Sequence, residues 1–133
     1  FVRYGVMHQN TFLQSPRLLD KYYADRRNPL VAFAGQMTGV EGYVESTASG
    51  YLAAVAMAAK VQGRELPDFP KETAIGALGQ YVSDESIENF QPMNINFSII
   101  APLEKRIRKK AEKNLAIAAR SLDVIDTLVA KGI

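Results

Sequence analysis

Apolar and polar positions divide this chain into stretches of different period. Near the start, Val2, Tyr4, Val6 and His8 alternate with Arg3, Gly5 and Met7, the two-residue period of a strand that leads into a loop by Phe12. Ser15-Pro16 breaks that pattern, and Leu18 to Tyr23 has weaker β character. Arg26-Arg27-Asn28-Pro29 reads as a polar turn. Leu30 to Ala34 is nearly all apolar, which predicts a central strand buried on both faces. From Tyr43 to Gln62 the period becomes helical, and the helix is small-sided, with Ala48, Ala53, Ala54, Ala56, Ala58 and Ala59. Gly50 inside it predicts a close packing contact, and Gly63 is placed as its C-cap. A second helix is predicted from Pro70 to about Val82. Phe90 to Ile100 reads as extended and irregular, and Asn94 and Asn96 are expected to hydrogen-bond their own loop. The last element is a predicted long helix from Pro102 to about Lys131. Leu103, Ile107, Ala111, Leu115, Ala118, Leu122, Ile125 and Val129 make one apolar stripe along it.

Between strand and helix lies a glycine-rich loop, Gly35-Gln36-Met37-Thr38-Gly39-Val40-Glu41-Gly42-Tyr43. Glycines let backbone approach a ligand, and a helix start presents free N–H groups with a partial positive charge. The arrangement suits an anionic or electron-rich group. From the glycines alone, an ordinary strand-to-helix turn is the better explanation of the loop.

The proportions predict an α/β fragment, mostly helical, taken from the tail end of a larger domain. One strand is clear, the helices lack a sheet large enough to cover, and no Gly-x-Gly-x-x-Gly fingerprint occurs. The start at Phe1, without an initiator Met, points the same way. The expected division is 1–63, carrying strands, loop and small-residue helix, and 64–133, a helical extension packed on it.

Composition then narrows the chemistry. The chain has no cysteine and one histidine, so this segment supplies no disulfide, no thiolate nucleophile and no histidine-rich metal site. No catalytic residue and no metal ligand is assigned. The longest strongly apolar stretch, Tyr51 to Ala59, falls far short of the roughly 20 residues that span a bilayer. Net charge is only +2, so a nucleic-acid surface must come from local clustering. Lys105, Arg106, Arg108, Lys109, Lys110 and Lys113 supply one, with Arg106, Lys110 and Lys113 expected on one helical face. A solvated face accounts for the same charges.

Ala34 to Ser46 resembles the second FAD-contacting motif of the glucose-inhibited-division-protein group of flavoproteins, which modify uridines in tRNA. Arg3-Tyr4-Gly5-Val6-Met7-His8, Phe69 to Leu78, Asn89 to Phe97 and Pro102 to Arg108 resemble the branch of that family that uses folate to form 5-methyluridine in the T loop. The resemblance covers nearly the whole chain. It implies the C-terminal part of a FAD-binding dinucleotide-fold domain, in a cytoplasmic enzyme using FAD, methylenetetrahydrofolate and NAD(P)H. The implied partners are tRNA, folate and the missing N-terminal part of the same polypeptide.

Gly35 through Tyr43 would contact the flavin, with Gln36 where relatives carry an acidic residue. The N–H groups of Gly39 to Tyr43 would face its pyrimidine edge. Tyr43 is then an aromatic wall where a pterin could stack, or else simply an anchor of the helix start. His8 is either a structural histidine or a folate or flavin neighbour, with Asn10 beside it. Arg106, Lys110 and Lys113 would contact tRNA. On this reading the segment alone is inactive, and Gly39→Val should displace flavin from a folded protein. The alternatives are the related carboxymethylaminomethyl-uridine branch and a nonenzymatic helical RNA-binding module built on Pro102 to Lys131.

Overall fold

The computed structural model describes residues 11–132. His8, Asn10 and most of the first predicted strand lie outside the described residues. Four helices follow in order: α1 (Ser15–Leu18), α2 (Tyr43–Val61), α3 (Ala74–Val82) and α4 (Lys110–Ala130), with a 3₁₀ turn at Gly35–Thr38.

The described residues contain no strand; only isolated bridges pair Leu19 with Asp25, Ala24 with Ala32, and Val40 with Met93. Leu30 to Ala34 is therefore not a doubly buried strand. Leu30 is 70% exposed and Val31 40%. The reason is local: the Val31 N–H turns back to the Asn28 carbonyl, and the run is paired on one side alone, the Val31 carbonyl accepting from the Asp25 N–H at 2.8 Å and the Phe33 N–H donating to the Tyr23 carbonyl at 3.0 Å. An apolar run with a partner on one side has no second face to bury.

α2 starts and ends where its pattern predicts. It closes in a Schellman motif, with Gly63 at φ 64°, the Gly63 N–H on the Lys60 carbonyl and the Arg64 N–H on the Ala59 carbonyl. Gly50 is not forced by a tight contact, because a Cβ there would meet only the Ala34 Cβ at 4.0 Å. The tight glycines are in α3: a Cβ at Gly76 would strike the carbonyls of Phe69 and Pro70, and one at Gly79 the carbonyl of Lys21.

α3 begins at Ala74 rather than Pro70. Thr73 is its N-cap: Oγ1 accepts from the Gly76 N–H at 3.1 Å and donates to the Pro70 carbonyl at 2.8 Å. Tyr23, Val40, Leu52, Phe69, Leu78, Val82 and Phe90 form the main core, so α2, α3 and the 90–93 segment close on one another.

α4 begins at Lys110, and residues 102–109 are not helical. Arg120 reaches back to the carbonyls of Ala101 and Pro102, which fixes that segment as a strap across the helix. Ile117 is buried against Ala77 and Ile100, and Ile125 and Leu128 pack on the main core. Of the predicted stripe, Leu103 and Ile125 pack on the core, whereas Leu115, Leu122 and Val129 are exposed. No helix among the described residues is long and apolar enough to cross a membrane.

Candidate functional site

The glycine loop is built from the inside by small hydroxyls. Buried Ser49, in α2, takes the Gly35 N–H at 2.8 Å and donates to the Ser46 carbonyl. Thr38 Oγ1 donates to the Gly35 carbonyl at 2.7 Å, and Ser15 Oγ donates to the Thr38 carbonyl at 2.8 Å. Each buried hydroxyl has a partner, so the loop is held in one conformation. Ser15 and Ser49 escaped the sequence reading because their partners are distant in the chain.

Gly35, Gly39 and Gly42 all have positive φ, at 72°, 85° and 90°. At Gly39 the requirement comes from the protein's own packing, because a side chain there would enter the Phe90 ring. Phe90 also packs on Phe12 and Tyr81, with centroids 6.2 and 5.4 Å away. The 90–93 segment lies along the loop through Met93, whose N–H donates to the Gly39 carbonyl and whose carbonyl accepts from Glu41, both at 3.1 Å.

These contacts sort the predicted flavin residues. Thr38, Gly39 and Val40 are buried and turned to the interior, whereas Gln36, Met37, Glu41, Gly42 and Tyr43 are exposed. The N–H groups of Gly39 and Glu41 are spent on the Gln36 and Met93 carbonyls, and so are not donors to a ligand. The N–H groups of Gly42, Tyr43, Val44 and Glu45, at the mouth of α2, meet no acceptor among the described residues. The donor set therefore lies slightly later in the chain than Gly39 to Tyr43. Tyr43, the first residue of α2, is 96% exposed. Glu45 Oε1 accepts from the Ile95 N–H at 3.3 Å, and its carboxylate lies against Gly42, shielding one side of the mouth.

The basic residues form a separate site. Arg106, Lys110 and Lys113 do not share a helical face, because Arg106 precedes α4. The strap nevertheless folds Arg106 back, and all three line one depression of about 650 Å³ with Arg108 and Phe97. Asn96 Oδ1 accepts from the Ser98 N–H at 2.9 Å and so caps its own turn. Among the described residues no cluster of His, Cys, Asp or Glu could hold a metal ion.

Residues 1–65 match the family described as Glucose inhibited division protein A. Over 98% of its length the chain is 53% identical to the methylenetetrahydrofolate–tRNA-(uracil-5-)-methyltransferase of Acetivibrio thermocellus, covering 30% of that protein. The protein of the same name from Bacillus cereus is 54% identical over 96% of this chain and 30% of its own length. That from Natranaerobius thermophilus is 52% identical over 97% of this chain, again 30% of its own length. The chain thus spans about 30% of the length of the curated relatives it matches, and this share lends no support to a C-terminal position within them. Residues 1–65 are thus similar to the glucose inhibited division protein A family, and nearly the whole chain is similar to part of the tRNA uracil-5-methyltransferases.

Proposed function

We propose that this chain is part of a flavin-dependent tRNA methyltransferase, in which the mouth of α2 holds the pyrimidine edge of FAD. The observation that carries the proposal is the row of unpaired N–H groups on Gly42, Tyr43, Val44 and Glu45, which opens beside an exposed aromatic ring. Such donors suit a planar group whose edge gathers negative charge. The similarity along nearly the whole chain to proteins named as methylenetetrahydrofolate–tRNA-(uracil-5-)-methyltransferases supports the same reading.

Bound FAD would supply reducing equivalents from NAD(P)H, and methylenetetrahydrofolate the one-carbon unit, for 5-methyluridine in the T loop. This chain's own part is to bind and orient. The Gln36 amide, exposed in the loop that leads to α2, can both donate and accept. Tyr43 offers a face on which a pterin would stack. Arg106, Lys110 and Lys113 would take tRNA phosphates. We place the segment after the dinucleotide-binding part of its parent, in the C-terminal portion, because it carries neither a Gly-x-Gly-x-x-Gly fingerprint nor a cysteine. Residues 1–63 would complete the flavin domain, and 64–133 would be its extension. On this proposal the segment is inactive alone and works in the cytoplasm, where tRNA is modified. The helical RNA-binding module loses its basis in a basic helix, because the strap takes Arg106 and Arg108 off α4.

The test is to purify the native polypeptide that contains this chain. It should be yellow, with a flavin absorbance band, and should form 5-methyluridine on T-loop RNA given methylenetetrahydrofolate. A colourless protein would reject the flavin site. A yellow protein that makes no 5-methyluridine would favour the carboxymethylaminomethyl-uridine branch.

A further inference from the structure

The depression between the 96–98 turn and the start of α4 combines features that solvation of a charged face does not require. Arg106, Arg108, Lys110 and Lys113 converge on it, and among the described residues none pairs with a carboxylate. Neighbouring Lys109, which does not line it, is paired with Glu112 at 3.0 Å. Lys110 and Lys113 stand in the first turn of α4, where the helix dipole disfavours cations, and Glu112, the acidic residue of that turn, is engaged by Lys109. Phe97 stands among these cations with 43% of its surface exposed. A volume near 650 Å³ lies within the range of about 300–1,000 Å³ typical of ligand pockets. Arg120 fixes the wall that carries Arg106 by holding the Ala101 and Pro102 carbonyls, so the site does not depend on a free loop.

We propose that this depression receives an unpaired nucleotide of RNA, its base stacked on Phe97 and its flanking phosphates held by Arg106, Lys110 and Lys113. An aromatic face among unpaired cations is the arrangement that binds single-stranded nucleic acid, stacking on the base while the charges track the backbone. An acidic peptide would use the same cations but would gain nothing from the ring. The proposal rests on the tRNA-modifying reading for its choice of RNA, and it adds Phe97 and a nucleotide-sized subsite to that reading.

The test uses the native polypeptide that contains this chain, an unmodified tRNA transcript, and binding measured across a range of salt concentrations. Phe97→Ala should weaken binding about tenfold with an unchanged salt slope, because stacking carries no charge. Arg106→Ala combined with Lys110→Ala should lower the slope by about 1.5. All three side chains are exposed, and circular dichroism checks that the fold is kept. Flavin content and 5-methyluridine formation are measured on the same preparations. Methylation with tRNA affinity and slope unchanged in both variants would overturn the subsite, leave the enzyme reading standing, and return the cations to a solvated face. No tRNA binding by the unsubstituted protein would overturn both.

Discussion

Tyr23 holds a left-handed backbone at φ 63° although it is not glycine. Its conformation follows from the turn around it. The Asp20 carboxylate accepts from the N–H groups of Tyr22 at 2.8 Å and Ala24 at 3.0 Å, while the Tyr23 N–H donates to the Asp20 carbonyl. The turn drives the ring into the core, where its hydroxyl finds no partner among the described residues. Burial pushes that hydroxyl well above the usual phenol range. A raised folded value contributes stability that is complete below the unfolded value of about 10 and is lost as pH climbs past it. Tyr23→Phe should therefore raise stability by about 1 kcal/mol near neutrality. It should also remove part of the alkaline decline, so that the gap between the two proteins in urea unfolding widens above pH 10 or so. An unstable phenylalanine variant would mean that the hydroxyl has a partner. Gly39 shows where residue-level reading went astray. The loop's glycines looked like room for a ligand, but Gly39 makes room for Phe90, which no local pattern reveals. Gly39→Val should cost more than about 2 kcal/mol and unfold the protein early, rather than release flavin from an intact fold. Gly50→Ala, by contrast, should stabilise α2 by roughly 0.5–1 kcal/mol, since its Cβ meets only Ala34. Thermal melts of both variants check the pair.

At the scale of elements, what the sequence reveals depends on how many patterns agree. α2 was readable to a residue because small apolar positions, a glycine before it and a glycine after it all point to the same bounds. α4 misled on two counts. Its helical period runs smoothly back to Pro102, but consecutive cations at Lys105, Arg106, Arg108, Lys109 and Lys110 repel one another and oppose the dipole of a helix starting there. Arg120 then takes the carbonyls of Ala101 and Pro102, and the segment stays extended. The stripe was misplaced because α4 is apolar on more than one side. Leu115, Leu122 and Val129 keep as good a period with Ile125 as Ile117 and Leu128 do, and hydropathy cannot choose between them. The buried register makes a plain prediction. Ile117→Ala should cost about 2–4 kcal/mol in chemical denaturation, whereas Leu122→Ala should stay within about 0.5 kcal/mol. Equal losses would mean that α4 is rotated from the register described. The Leu30 to Ala34 run failed for a further reason: a strand needs neighbours, and the described residues offer it one bridge, at Ala32.

Across the whole molecule, one core ties the glycine loop to α3 and to the 90–93 segment, so separate motifs of the resemblance are packed as a unit. The likeness to the glucose inhibited division protein A family and the place of the glycine loop before α2 were legible in the residues. The division of labour inside that loop was not: Thr38, Gly39 and Val40 build it, while Gln36, Met37, Glu41, Gly42 and Tyr43 face outward. Apolar side chains at Val44, Tyr51 and Val61 on α2 also face outward, along with Tyr43 and Leu30. In our account α2 begins at a flavin edge, and the chain is a part of a longer flavoprotein. The most direct test is a structure of the native flavin-bound polypeptide, read for the distance from the isoalloxazine pyrimidine edge to the Tyr43 and Val44 N–H groups. The account predicts hydrogen bonds of about 3 Å. An isoalloxazine seated away from the start of α2, with those N–H groups bonded to protein instead, would contradict it.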